Sequence, residues 1–182
     1  MRIKQILDLG ADGVMVPQIG SPAEARAAIA ACRYPPDGVR GFGPRRASGW
    51  GRDIERYVTR ANDEIIIVLQ VESVAMATEI DALLDVPGFD VVCLGPNDLS
   101  GSAGLLRQHA HPTVAGAIAH VYRRCRARCV PLCGGVTVGA ADMAAEVARG
   151  GGFAIVFEDS ALLAAAASEA LTAARRGIEG SG

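Results

Sequence analysis

The chain has 182 residues, half of them hydrophobic, and a net charge of -2. That is enough for one domain with a sizeable core, without the basic footprint of a nucleic-acid binder. No apolar run approaches the roughly 18 residues of a membrane span, and Met1-Arg2-Ile3-Lys4 does not open a signal-peptide core, so a cytoplasmic protein is expected.

Residues 3–9 have helical spacing and stop at Gly10, suited to the position just past a helix end. Gly13-Val14-Met15-Val16-Pro17 reads as a short buried strand ended by proline. Ser21-Pro22-Ala23-Glu24 then opens a helix that should reach about Cys32. Ser21 is the N-cap, Pro22 takes the first helical position and Glu24 completes a capping box. Residues 34–51 form a loop rich in Pro, Gly and Arg, long for a compact domain. Such a loop is either functional or a solvated excursion with its arginines on the surface. Residues 53–62 read as a short helix.

Ile65-Ile66-Ile67-Val68 is an apolar, β-branched run, the pattern of a fully buried parallel strand. It continues into Leu69-Gln70-Val71-Glu72, where Gln70 and Glu72 are two apart and project to one side. A buried carboxylate must be paired, protonated or bound to a metal. The C-terminal ends of parallel strands are also where α/β proteins build their sites. Glu72 is therefore a candidate ligand of a divalent cation.

Residues 74–84 are helical in spacing and end near Val86-Pro87-Gly88. The next strand, 89–94, is followed by Gly95-Pro96-Asn97-Asp98-Leu99-Ser100, which delivers a second carboxylate, Asp98. On residue type alone, a cap for the next turn is the favoured reading of Asp98. Residues 101–110 read as a loop, and a helix runs from His111-Pro112-Thr113 to about Arg128. His109, His111 and His120 read as surface or capping groups. Residues 130–135 form a short strand and turn, and residues 139–148 an Ala-rich helix ended by Gly150-Gly151-Gly152. Residues 153–158 form the last strand, Ser160 caps a helix over about 161–175, and 177–182 is a frayed tail.

Five strands, near 12–17, 64–72, 89–94, 130–135 and 153–158, thus alternate with helices, which means a parallel sheet. Residues 1–182 read as one domain. No GxGxxG follows the first strand and no GxxxxGK[ST] occurs, so nucleotide binding lacks its main support. The five cysteines are an odd number. A zinc site from Cys125, Cys129 and Cys133 lacks knuckle spacing, and reduced, mostly buried thiols are the better reading.

The combination Arg33-Tyr34-Pro35-Pro36 with Gly38, Arg40-Gly41 with Gly43, Gln70-Val71-Glu72 and Gly95-Pro96 with Asp98-Leu99-Ser100 resembles the HpcH/HpaI aldolase family, related to citrate lyase β subunits. Leu9-Gly10-Ala11-Asp12-Gly13, Val16-Pro17 and His111-Pro112 extend the likeness over nearly the whole chain. The resemblance implies a (β/α)8 TIM barrel of the phosphoenolpyruvate/pyruvate type, here about its last five strand–helix units, and a homo-oligomer. It implies Mg2+, Mn2+ or Co2+ held by Glu72 and Asp98. It also implies a small 2-oxo acid received by Gln70, Asn97 and Asp98.

The activity implied is a class II aldolase that cleaves 4-hydroxy-2-oxo acids to pyruvate and an aldehyde. A CoA-thioester lyase of the citrate lyase β branch is the weaker enzymatic alternative, because the pattern of residues 34–43 favours the aldolase branch. The family's first three strand–helix units, with the catalytic histidine and a substrate arginine, have no counterpart in these residues. Five strands do not close an eight-stranded barrel. The chain is accordingly expected to be an N-terminally truncated product, and a catalytically inactive remnant or oligomerising module is the alternative.

Overall fold

Strict alternation sorts each strand into two faces. In the computed structural model, which describes residues 2–137 and 139–179, both faces are apolar along most of their length. Four strands form one parallel sheet in the order β1-β2-β3-β4: β1 (Gly13–Val16), β2 (Ile66–Val71), β3 (Val91–Leu94) and β4 (Leu132–Cys133). Strand order that simply follows the chain, with a helical crossover each time, is the winding of an arc of a (β/α) barrel rather than of a doubly wound sheet.

One face packs against the helices. Ile67, Leu69, Val71, Val92, Leu94 and Leu132 are buried there in the main core. With them lie Ala25, Ile29 and Cys32 of α2 (Pro22–Cys32), Met76 and Ala77 of α4 (Val74–Thr78), and Ile80 and Leu83 of α5 (Ile80–Leu84). Val114, Val121 and Cys125 of α7 (Pro112–Ala127) complete that layer. The other face is the inner wall of the barrel arc. Val68, Val91, Cys93 and Cys133 form a small cluster there, with Ile155 against it. Towards β1 this wall is open: Met15 is 37% exposed and Ile66 43%.

Local signals explain the helix starts. Ser21 Oγ accepts the Glu24 N–H at 3.2 Å, as a capping box requires. The reciprocal bond goes one residue further back, from the Gly20 N–H to Glu24 Oε2 at 2.8 Å. α1 (Arg2–Asp8) ends at Gly10, whose φ of +92° is the left-handed conformation expected of a helix stop. α3 (Ile54–Glu64) leads into β2.

Several expectations are corrected. The helix expected over 74–84 is two short helices, broken at Glu79 (φ -92°, ψ 20°). Residues 96–102 form a helix, α6 (Pro96–Ser102), where a turn and loop were expected. The fifth strand expected at 153–158 is reduced to one parallel bridge between Val136 and Ile155. β4 is two residues long and is followed by Gly134 and Gly135 (φ +115°), so no extended edge exists for a fifth strand to pair with. The sheet therefore carries four of the five expected strands. α8 (Gly139–Arg149) and α9 (Asp159–Glu179) follow, and α9 starts one residue before the expected Ser160 cap. Residues 177–179 belong to α9, and the rest of the expected frayed tail, 180–182, lies outside the described residues.

Residues 34–51 are largely exposed, Arg45 and Arg46 included, but Tyr34, Arg40, Pro44 and Ser48 are buried and anchor the segment away from the strands' C-terminal end. They pack where the strands begin. Arg33 donates to the Asn62 and Gly88 carbonyls, just before β2 and β3. Gly38 lies so close to the backbone of α2 that a Cβ would meet the Ala30 and Arg33 carbonyl oxygens at 2.4 Å. Arg40 is only 2% exposed. It donates to Asp8 Oδ1 at 2.7 Å and to the Tyr57 hydroxyl at 3.1 Å, and its guanidinium stacks 4.4 Å from the Tyr34 ring centroid.

Candidate functional site

β2 ends at Val71, so Glu72 sits just past the strand, half-buried, with Gln70 two residues before it. Both lean towards the end of β3. A Cβ on Gly95 would come within 2.7 Å of Glu72 Cγ, 2.8 Å of its Oε1 and 3.1 Å of Gln70 Nε2. Glycine there makes room for the two polar side chains side by side. Glu72 Oε2 accepts the backbone N–H of Gln18 at 2.7 Å. Gln18 has a φ of +56°, unusual for a residue with a side chain, and lies in the turn between β1 and α2. Three consecutive βα connections thus meet at Glu72.

Asp98 is in the first turn of α6, exposed, and no side-chain capping bond is made at that helix start. It therefore does not act as the cap that its residue type allows. Asp98 and Glu72 line one recess of about 190 Å³ with Gln18, Ile19, Gly20 and Ser73. The donor set is two carboxylates, hard oxygen ligands suited to a hard divalent cation whose remaining positions take water or substrate oxygens. Among the described residues no group of three or more His, Cys, Asp or Glu side chains is placed to hold a metal ion. The fit therefore rests on the two carboxylates and the vacated space at Gly95.

Beside this recess lies a cavity of about 870 Å³ over the inner wall of the sheet. Gln70, Asn97 and Asp98 line its polar side, and Ile155, Leu162 and Ala165 are among its apolar walls. His109 lines it too, which residue type and position did not signal. Its Nε2 makes a 3.0 Å hydrogen bond with Asn97 Oδ1. An amide oxygen only accepts, so the imidazole is the donor and the Asn97 amide hydrogens stay available. His111 does cap α7, accepting the Thr113 N–H on Nδ1 at 3.3 Å.

The three cysteines weighed as a zinc site are not brought together. Cys125 faces the helix layer, where burial pushes its thiol up to about 12, Cys129 is exposed past α7, and Cys133 faces the inner wall. Glu146, on α8, holds the end of β4 instead. It is 3% exposed and accepts the Tyr122 hydroxyl at 2.5 Å and the Gly134 N–H at 2.8 Å.

A family profile described as HpcH/HpaI aldolase/citrate lyase matches residues 1–166. A 4-hydroxy-2-oxovalerate aldolase of Rhodococcus jostii is 40% identical over 163 residues, 89% of this chain and 62% of that protein. A 2-keto-3-deoxy-L-rhamnonate aldolase of Escherichia coli is 39% identical over 181 residues, 98% of this chain and 67% of that protein. The chain thus spans about two thirds or less of these curated relatives. The crystal structure of an HpcH/HpaI aldolase from Desulfitobacterium hafniense superposes with a TM-score of 0.83 at 32% identity, over 95% of this chain and 67% of that one. The four-stranded arc is therefore part of a TIM-barrel-like fold, and the chain belongs to the HpcH/HpaI aldolase/citrate lyase family.

Proposed function

We propose that this chain carries the metal- and substrate-binding half of a class II pyruvate aldolase, which cleaves 4-hydroxy-2-oxo acids to pyruvate and an aldehyde. The observation that carries the reading is Gln70 and Glu72 side by side against Gly95, with Asp98 lining a recess with each of them, at the C-terminal ends of β2 and β3. Glu72 and Asp98 would hold Mg2+, Mn2+ or Co2+. A cation so held supplies Lewis acidity at the oxygens of a 2-oxo acid.

The chain's own residues do the rest. Glu72 is oriented by the Gln18 N–H on one oxygen, which leaves Oε1 on the Gly95 side. Gln70 presents its amide at the cavity wall, to donate to the substrate's keto oxygen. Asn97 is held by His109 with its amide hydrogens directed away from that bond, to donate to the substrate carboxylate. Ile155 and Leu162 offer apolar surface to the carbon chain.

The test is pyruvate release from a 4-hydroxy-2-oxo acid with added Mn2+, before and after Glu72→Gln. The variant should lose about tenfold or more of the rate. Equal rates would remove Glu72 from the ligand set. A second reading, a non-catalytic module of the same fold, is favoured by the open inner wall at Met15 and Ile66. It predicts Mn2+ binding by calorimetry without turnover.

A further inference from the structure

The inner wall of the sheet carries a pair of thiols that the proposed reaction does not use. Cys93 and Cys133 are register partners on the neighbouring parallel strands β3 and β4. Partners in register point to the same face. Both are buried in the same small cluster on the inner wall. Cys93 lines the large cavity, and so do Gly134 and Gly135, which follow Cys133 directly. Those two glycines add no side chain between Cys133 and the cavity, while Ile155 packs against the same cluster and Cys133 itself is fully buried.

We propose that Cys93 and Cys133 are a redox-active dithiol, oxidised by a hydroperoxide to an intrachain disulfide in the wall of the cavity. With hydrogen peroxide, the Cys133 sulfur attacks one peroxide oxygen: an S–O bond forms, the O–O bond breaks, and the leaving hydroxide takes the proton given up by the Cys133 thiol to become water. Cys93 then attacks the sulfenic sulfur of Cys133. The S–S bond forms, the S–O bond breaks, and the thiol proton of Cys93 leaves with the hydroxyl as a second water. Two thiols are oxidised and one peroxide is reduced.

The surroundings favour Cys133 as the attacking group. The Cys93 thiol hydrogen-bonds to it, while Cys133 Sγ itself donates to the Gly135 carbonyl at 3.4 Å. The bond from Cys93 outweighs burial and draws the Cys133 thiol below its ordinary value. Cys93 is pushed the other way, first by the same hydrogen bond and then by burial. A thiol drawn down beside a resolving thiol that is held up is the pairing peroxide chemistry uses. The other thiols differ. Cys32 and Cys125 are held up by burial, to about 11 and about 12, and Cys129 is exposed. Gln70 is the register partner of Cys93 on β2, so the crosslink forms beside the amide assigned to substrate. The inference does not depend on turnover.

The experiment treats the full chain with one equivalent of hydrogen peroxide, counts free thiols after denaturation and maps peptides without reduction. Five thiols should fall to three, in a crosslink between the peptides of Cys93 and Cys133, and a thiol reductant should restore all five. In Cys93→Ser, Cys133 should be trapped as a sulfenic acid by a dimedone-type reagent, and in Cys133→Ser, Cys93 should stay a thiol. Oxidation confined to Cys129 overturns the proposal, and so does a crosslink from Cys133 to any other cysteine. The wild-type map decides even if neither variant folds.

Discussion

At the end of the sheet where the strands begin, a charge is buried and spent on its neighbours: Arg40 meets Asp8, the Tyr57 hydroxyl and the Tyr34 ring. At the end where they finish, Gln70, Glu72 and Asp98 lie in or beside open recesses, and Glu72 has a bond from Gln18 while Asp98 has no capping bond. The two ends are built from the same βα units. The difference lies in what the connections do. The long connection at the first end folds back and pairs its buried cation with Asp8, the Tyr57 hydroxyl and the Tyr34 ring, which serves stability. The short connections at the second end leave acceptors uncommitted, as the proposed binding site requires.

The largest effect on stability should come from the closed end. Among the described residues, Arg40 Nε and Nη1 have no hydrogen-bond partner, so this cation depends heavily on Asp8. Removing one partner of a buried pair leaves the other charge uncompensated. Asp8→Ala should therefore cost about 3 kcal/mol in urea unfolding. The pH dependence has a definite sign. Burial opposes ionisation of Asp8, but the hydrogen bonds and charges of Arg40 and Lys4 outweigh it and hold the carboxyl below its ordinary 3.8. A folded-state value below the unfolded one adds stability that is present above the unfolded value and lost as pH falls through the folded one. Asp8→Asn should lack that acid-side loss, so the gap between wild type and variant should narrow as pH drops below about 4. A gap independent of pH would show that Arg40 does not rely on the Asp8 charge.

Gly95→Ala tests the open end through packing. The new Cβ would meet Glu72 at 2.7 Å and the Gln70 amide at 3.1 Å. The backbone there has an ordinary negative φ, so crowding is the only penalty. We expect a stability loss of about 1 kcal/mol. Mn2+ affinity, measured by calorimetry, should fall as well, because the side chains that move are those assigned to metal and substrate. Unchanged Mn2+ affinity would separate Gly95 from the metal site.

What could be read from residue order, and what could not, follows the same division. Ser21, Pro22 and Glu24 announce the start of α2 because a capping box is a local device. Gln70 and Glu72 announce a polar strand end because side chains alternate with period two. α6 was hidden because Gly95, Pro96, Asn97, Asp98 and Ser100 are turn formers, although Pro96 also suits the first turn of a helix. The fifth strand failed because residues 153–158 have strand composition but no adequate partner edge, and pairing is not a local property. The burial of Arg40 could not be decided from residue order for the same reason: Asp8 and Tyr57 are 32 and 17 residues away. The Cys93–Cys133 pairing is a matter of register between strands separated by the whole of α6 and α7, which no spacing rule reports.

The smallest effect on stability should come from the two carboxylates themselves. Asp98 is exposed, and the one bond between the Glu72 carboxylate and the Gln18 N–H is itself exposed. Replacing either by its amide removes a charge without opening a cavity, and an amide oxygen at position 72 can still accept the Gln18 N–H. Unfolding free energies of Glu72→Gln and Asp98→Asn in metal-free buffer should stay within about 0.5 kcal/mol of wild type. Two acidic groups brought to one recess also repel each other, so any residual change should be towards greater stability, and it should shrink with added salt. With Mn2+ present the order should invert. The wild type should gain stability by mass action and the variants should not. A variant that melts well below wild type without metal would mean that its carboxylate serves the fold, and the contrast between the two ends would fail at that residue.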